Sequence, residues 1–106
     1  MVKMVGNNLG EFMNIEVSSK EYWKGLNYYD ALLYCELLDI DGVDDWRMPT
    51  IEELNEIYNS ENTFSGSYWS STEYDGGYAW CKSMLDGFYY GDRKGYSYYV
   101  RAVRSI

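Results

Sequence analysis

The sequence predicts an α+β domain in which two helices pack against a short-stranded, mainly antiparallel sheet. Three observations carry that expectation. Apolar residues recur at helical spacing between Asn27 and Tyr58, the period changes to two beyond Tyr68, and turn-forming residues cut the second half into short runs. At 106 residues the chain fits one domain, 1–106, long enough to bury a core without help from a metal or disulfide. A hydrophobic fraction of 46%, with a single proline, excludes a disordered chain, because enough apolar area is available to offset the entropy of ordering.

Taken in order, Glu11–Val17 (EFMNIEV) alternates loosely between polar and apolar residues and reads as an early strand. From Asn27 the run NYYDALLYCELLDI places Tyr28, Ala31, Leu32, Cys35 and Leu38 on one helical face, with Asn27 as N-cap and Asp41-Gly42 as the stop. A second helix begins after Pro49: Thr50 and Glu53 form a capping box, and Ile51, Leu54, Ile57 and Tyr58 form its apolar stripe. Residues 59–67 are expected to be loop. Strands are expected over Tyr68–Ser71, Tyr78–Leu85, Phe88–Tyr90 and Ser97–Val103, an antiparallel meander with turns at Asp75-Gly76-Gly77, Asp86-Gly87 and Gly91–Gly95. Both helices are expected on one side of this sheet. There is no internal repeat or linker.

A net charge of −8 and a pI near 4.3 oppose attraction to nucleic acid or anionic lipid. Ten of the acids lie between Asp30 and Glu61, against the single base Arg47, and read as a solvated face. No apolar stretch is long enough to span a bilayer, and the N-terminus lacks the apolar block of a Sec signal. The expectation is therefore no membrane insertion and no Sec address.

The residue inventory argues against an enzyme. With no histidine, Ser70 and Ser71 lack a base, and the acidic pair Asp44 and Asp45 fits a turn. No catalytic residue, metal ligand set or cofactor is expected. Asp75, Asp86 and Asp92 offer oxygens, but their spacing makes no dedicated calcium loop.

The most informative segment runs from Gly66 to Tyr99. It holds eight of the thirteen tyrosines among Ser, Gly and Asp, the composition of adaptable binding surfaces in which a rigid amphipathic ring supplies contact area at low entropic cost. Candidate ligand-binding residues are Tyr74, Asp75, Tyr78, Tyr89, Tyr90, Asp92, Arg93, Tyr96 and Tyr98. Strand alternation requires that some of these tyrosines point inward.

The ordered set ALLYCELL, DDWRMPTIEEL, YWSST, YAW and YVRAVR, running from about Tyr22 to the end, resembles the bacterial and phage domains typified by the C-terminal domain of the Legionella collagen-like protein and by the Fibrobacter major paralogous domain. The resemblance implies a C-type-lectin fold, with a small mixed sheet, two flanking helices and termini that meet as neighbouring strands. It also implies that function rides on the loops and outer strands of the C-terminal half. The framing residues have structural explanations: Trp46, Trp69 and Trp80 as core, Arg47, Arg101 and Arg104 as ties to carboxylates or carbonyls.

Two departures from the family pattern stand out. Ala102 occupies the place of a cysteine that relatives pair with the helix-one cysteine, so Cys35 loses that partner. Free thiols at Cys35 and Cys81 are the favoured expectation, a bridge between them the other. Lys82 stands where relatives tend to be apolar, and its stem is expected to cover core while the ammonium reaches water.

Some relatives are diversified by retroelements that mutate adenines, and Tyr, Asp, Ser, Gly, Cys and His are common products of an AAC or AAT codon. The segment fits that menu except for the missing histidine. Formylglycine-generating enzymes share the wider fold, but their cysteine pair is missing here. The function implied is a non-enzymatic, phage-related recognition module for a protein or glycan ligand on a cell surface. The alternative is a structural or assembly domain of a virion or cell-surface complex, packed against another virion protein, and a third reading is a degenerate relative of the formylglycine-generating enzymes. The phage relation implies a virion-associated location, the missing Sec signal otherwise a cytoplasmic one.

Overall fold

The computed structural model describes residues 2–4, 15–18, 22–60 and 66–106. Its elements run β1 (Val2–Met4), β2 (Ile15–Val17), β3 (Tyr22–Leu26), α1 (Tyr28–Leu37), α2 (Ile51–Ser60), β4 (Ser67–Glu73), β5 (Tyr78–Ser83), β6 (Tyr89–Arg93), β7 (Tyr98–Val100) and β8 (Val103–Ser105). They form a three-stranded sheet, β1-β2-β8, and a five-stranded sheet, β3-β7-β4-β5-β6. Every pairing is antiparallel except β4 with β7, so the fold is α+β with a mainly antiparallel sheet. Near the termini β2 lies beside β8, as the resemblance implied, and Arg104 on β8 bonds Glu16 directly opposite it at 2.8 Å.

Both helices start where their caps dictate. The Asn27 side chain accepts from the Asp30 amide at 2.9 Å. At α2 the capping box closes in both directions: the Glu53 carboxylate accepts from the Thr50 amide at 2.9 Å, and the Thr50 hydroxyl accepts from the Glu53 amide at 3.2 Å. The first helix ends earlier than expected. Leu38 is already extended, and Asp41-Gly42, taken as the helix stop, is instead the tip of a tight turn with both residues at positive φ, closed by reciprocal 3.0 Å bonds between Ile40 and Val43.

The expectation of helices on one side is corrected by strand parity. Trp69, Cys81 and Val100 pack with Tyr28, Ala31 and Cys35 of α1. Their strand neighbours Tyr68 and Tyr99 pack instead with Leu54 and Ile57 of α2. Since successive strand residues face opposite ways, α1 and α2 cover opposite faces of the five-stranded sheet.

Other departures are local. Of the expected strand Glu11–Val17, only Ile15–Val17 is among the described residues, and it is a strand. β3, with Gly25 inside it and no alternation, was missed. Residues 59–60 extend α2, and Ser67 already belongs to β4. The expected strand Ser97–Val103 breaks at Arg101 and Ala102, both buried, where the chain passes from one sheet to the other. Arg101 holds that corner by donating to the Ser18 carbonyl at 2.9 Å, and Arg47 grips Glu53 through two 2.7 Å bonds, as expected of planar forks.

Candidate functional site

β5 and β6 position the Tyr-rich segment. Their register sets Tyr78 opposite Arg93, Trp80 opposite Gly91 and Lys82 opposite Tyr89, all on the side of the sheet that carries α2. The positions that face the α1 side alternate with them: Ala79 and Cys81 on β5, Tyr90 and Asp92 on β6. Period two therefore sorts one segment into an outer recognition candidate and an inner packing layer.

On the outer side the rings form a continuous edge-to-face chain. Tyr74 lies 6.4 Å from Tyr78 and 5.3 Å from Trp80, and Trp80 lies 5.7 Å from Tyr89, the spacing at which aromatic edges and faces attract. Gly91 leaves the space opposite Trp80, and the Tyr74 ring fills it, 3.7 Å from where a Gly91 Cβ would stand. A shallow groove of about 340 Å³ opens there, lined by Tyr74, Asp75, Tyr78 and Gly91.

Polar groups frame the groove. Asp75 Oδ1 accepts from the Gly77 and Tyr78 amides at 2.8 and 3.0 Å, which fixes the β4–β5 turn. The exposed Arg93 guanidinium, hydrogen-bonded to Tyr78 and within the field of Tyr96 and Asp92, is held above its ordinary pKa. Tyr96 is exposed on the following turn, where its amide donates to the Arg93 carbonyl.

Of the nine candidate residues, the structure brings Tyr74, Asp75, Tyr78, Tyr89 and Arg93 onto this outer face, with Tyr96 near its end. Tyr90, Asp92 and Tyr98 do not join them. They line the inner side, where Tyr98 stacks edge-on to Trp69 at 5.0 Å and donates to the Asp92 carboxylate, and Tyr90 donates to Ser67 at 3.0 Å. Burial, reinforced by the acceptor Asp92, drives the Tyr98 hydroxyl well above the ordinary phenol range. Trp80, assigned to the core from the sequence, is instead half-exposed and central to the outer chain. Its alternation with Tyr78 was the signal that placed it there.

Lys82 also departs from expectation, because its ammonium turns inward. It donates to the Gly87 carbonyl and sits over the Tyr58 and Tyr89 rings at 5.0 and 5.4 Å, while burial lowers its pKa. Cys35 and Cys81 are free and buried in one cluster, and burial pushes both thiols up to about 12, far from a reactive thiolate. Asp86 is engaged by its own turn, accepting from the Phe88 amide. Among the described residues no group of three or more thiols or carboxylates is placed to hold a metal, and no helix is long and apolar enough to cross a membrane.

Two helices on opposite faces of a mainly antiparallel sheet, with one exposed chain of aromatic rings, define a small α+β domain. A family model for the Lcl C-terminal domain, named for the Legionella collagen-like protein, matches residues 12–104, and the chain belongs to that family. No curated protein matches it.

Proposed function

We propose that the domain is a non-enzymatic recognition module of C-type-lectin type that binds a protein or glycan on a cell surface through the outer face of β5 and β6. The observation that carries this is the open groove between Tyr74 and Tyr78, continued by Trp80 and Tyr89 and framed by Asp75 and Arg93. Flat rings offer stacking area to a sugar or an apolar side chain, while a carboxylate and a guanidinium set orientation. A virion is the setting that the family's phage members suggest. Retroelement diversification has mixed support from where the residue types such mutation produces sit: Tyr74, Asp75, Gly76, Gly77, Tyr78, Tyr89, Gly91, Tyr96 and Ser97 are exposed, whereas Cys81 is buried and Tyr90, Asp92 and Tyr98 are partly covered.

The test is to probe immobilised glycans and bacterial surface proteins with the native domain and with Tyr74→Ala/Tyr78→Ala. Ligands captured by the native domain should be lost by the variant while its circular dichroism is retained. Undiminished capture would refute the site. An adenine-rich template copy of the segment beside a reverse-transcriptase gene would support diversification, and a gene neighbourhood lacking both would oppose it.

A further inference from the structure

Helix α1 is apolar on two sides. Its inner side, Tyr28, Ala31 and Cys35, belongs to the core. On the outer side Tyr29, Leu33 and Leu37 stand 59%, 51% and 73% exposed. Their i, i+4, i+8 spacing aligns them in one stripe, where a solvent-facing helix side ordinarily carries charge. Three aligned side chains of this size expose on the order of a few hundred Å², the scale at which an apolar patch marks an interaction site rather than scattered surface residues.

The rim of the stripe narrows what can cover it. Asp30 and Glu36 flank it on α1 with no base on the helix; of the acids that follow in sequence as far as Trp46, Asp45 is already paired with Arg104 at 2.6 Å, so the rim rests on Asp30 and Glu36. The Lys94 ammonium beside Tyr29 is already tied to Glu73 at 3.1 Å. A second copy docked through α1 would set these carboxylates against their own equivalents, which opposes self-association. A partner with an apolar ridge bordered by Lys or Arg matches both the stripe and its rim.

We propose that the outer side of α1 is a docking surface for an amphipathic helix with a basic border. α1 covers the sheet face opposite the Tyr74–Tyr89 chain, so the domain can be held by one partner while its aromatic face meets another. The docking surface stands independently of the function proposed for that aromatic face.

The test uses a labelled synthetic helix bearing a Leu stripe flanked by Lys, and a control of the same design with Glu for Lys, titrated by fluorescence anisotropy and mapped by amide chemical shifts. The Leu/Lys peptide should perturb Tyr29, Leu33 and Leu37. Its affinity should fall by about tenfold or more in Leu33→Ser/Leu37→Ser and in Asp30→Lys/Glu36→Lys, yet persist in Tyr74→Ala/Tyr78→Ala. Sedimentation of the native domain should show a monomer. Lack of binding, equal binding of the Leu/Glu control, or full affinity in the α1 variants would overturn the proposal. So would a native dimer that Leu33→Ser/Leu37→Ser dissolves, since the stripe would then belong to a second copy.

Discussion

Replacing Tyr74 and Trp69 by alanine, one at a time, separates surface aromatics from core aromatics that a sequence presents alike. Tyr74 is 62% exposed, so of an aromatic side chain's ~200 Å² only about 75 Å² leaves water on folding. At about 25 cal/mol per Å² that is roughly 2 kcal/mol, an upper figure because the unfolded chain already hides part of it. Trp69 is fully buried, packs on Tyr28 and Tyr98, and donates its indole N–H to the Leu26 carbonyl at 2.8 Å. Its loss costs about 3–5 kcal/mol in packing and about 1 more for the abandoned carbonyl. A domain this size has about 5–15 kcal/mol in total. In urea titrations followed by circular dichroism, Tyr74→Ala should unfold cooperatively with a modestly lowered midpoint. Trp69→Ala should be largely unfolded or close to it. A Tyr74→Ala protein without a cooperative transition, or a Trp69→Ala protein with a near-native midpoint, would refute the assignment of the two rings to surface and core.

Four further outcomes follow from the same geometry. Glu53→Ala removes the capping box and both Arg47 bonds and should cost about 2–3 kcal/mol, discounted for a guanidinium that water can reach. Burial pulls the Glu53 carboxyl up, but the bonds from Arg47 and Thr50 outweigh it and hold the folded value below the unfolded one. Its stabilisation is therefore present above the ordinary carboxylate range and lost as pH falls through the folded value, so Glu53→Gln should show a shallower acid limb in stability against pH. Native protein should leave both thiols unmodified by a disulfide reagent at mildly alkaline pH, and guanidinium should release two equivalents; fast native modification would contradict their burial. Gly87→Ala should cost more than Gly42→Ala. Both sites have positive φ and an expected strain of about 1–2 kcal/mol, but only at Gly87 does a Cβ meet a ring, that of Tyr58 at 2.7 Å. Equal midpoints would remove the crowding argument.

What the sequence revealed follows the range of the interactions involved. Local signals gave the capping box at Thr50, the Asn27 cap and the change of period at Tyr68, because each is written within a few residues. The Asp41-Gly42 turn was misread because a helix stop and a tight turn both favour a residue pair tolerant of positive φ. The face of the sheet on which each helix lies depends on the pairing of Tyr68 with Tyr99 and of Trp69 with Cys81, contacts between distant segments that no local period encodes. At the site, composition located the segment and alternation gave the rule that divides it. Only the register decided that Tyr78, Trp80 and Tyr89 face outward while Tyr90 and Tyr98 do not.

That register also explains how a face rich in Gly, Ser and Asp is held without a disulfide. Two buried lysines anchor the loops that bound it. Lys94, on the turn after β6, reaches Glu73 at 3.1 Å and the Gly76 carbonyl at 3.2 Å across the β4–β5 turn, and lies over the Tyr28 ring at 4.9 Å. Lys82, on β5, reaches the Gly87 carbonyl in the β5–β6 turn beneath Tyr89. Each ammonium replaces lost water with a carbonyl and aromatic faces, which keeps burial tolerable and fixes the turn it touches. A preorganised turn loses less entropy when a ligand arrives. Lys82 therefore supports the aromatic face from beneath, where, on the function proposed above, it would lie out of a ligand's reach.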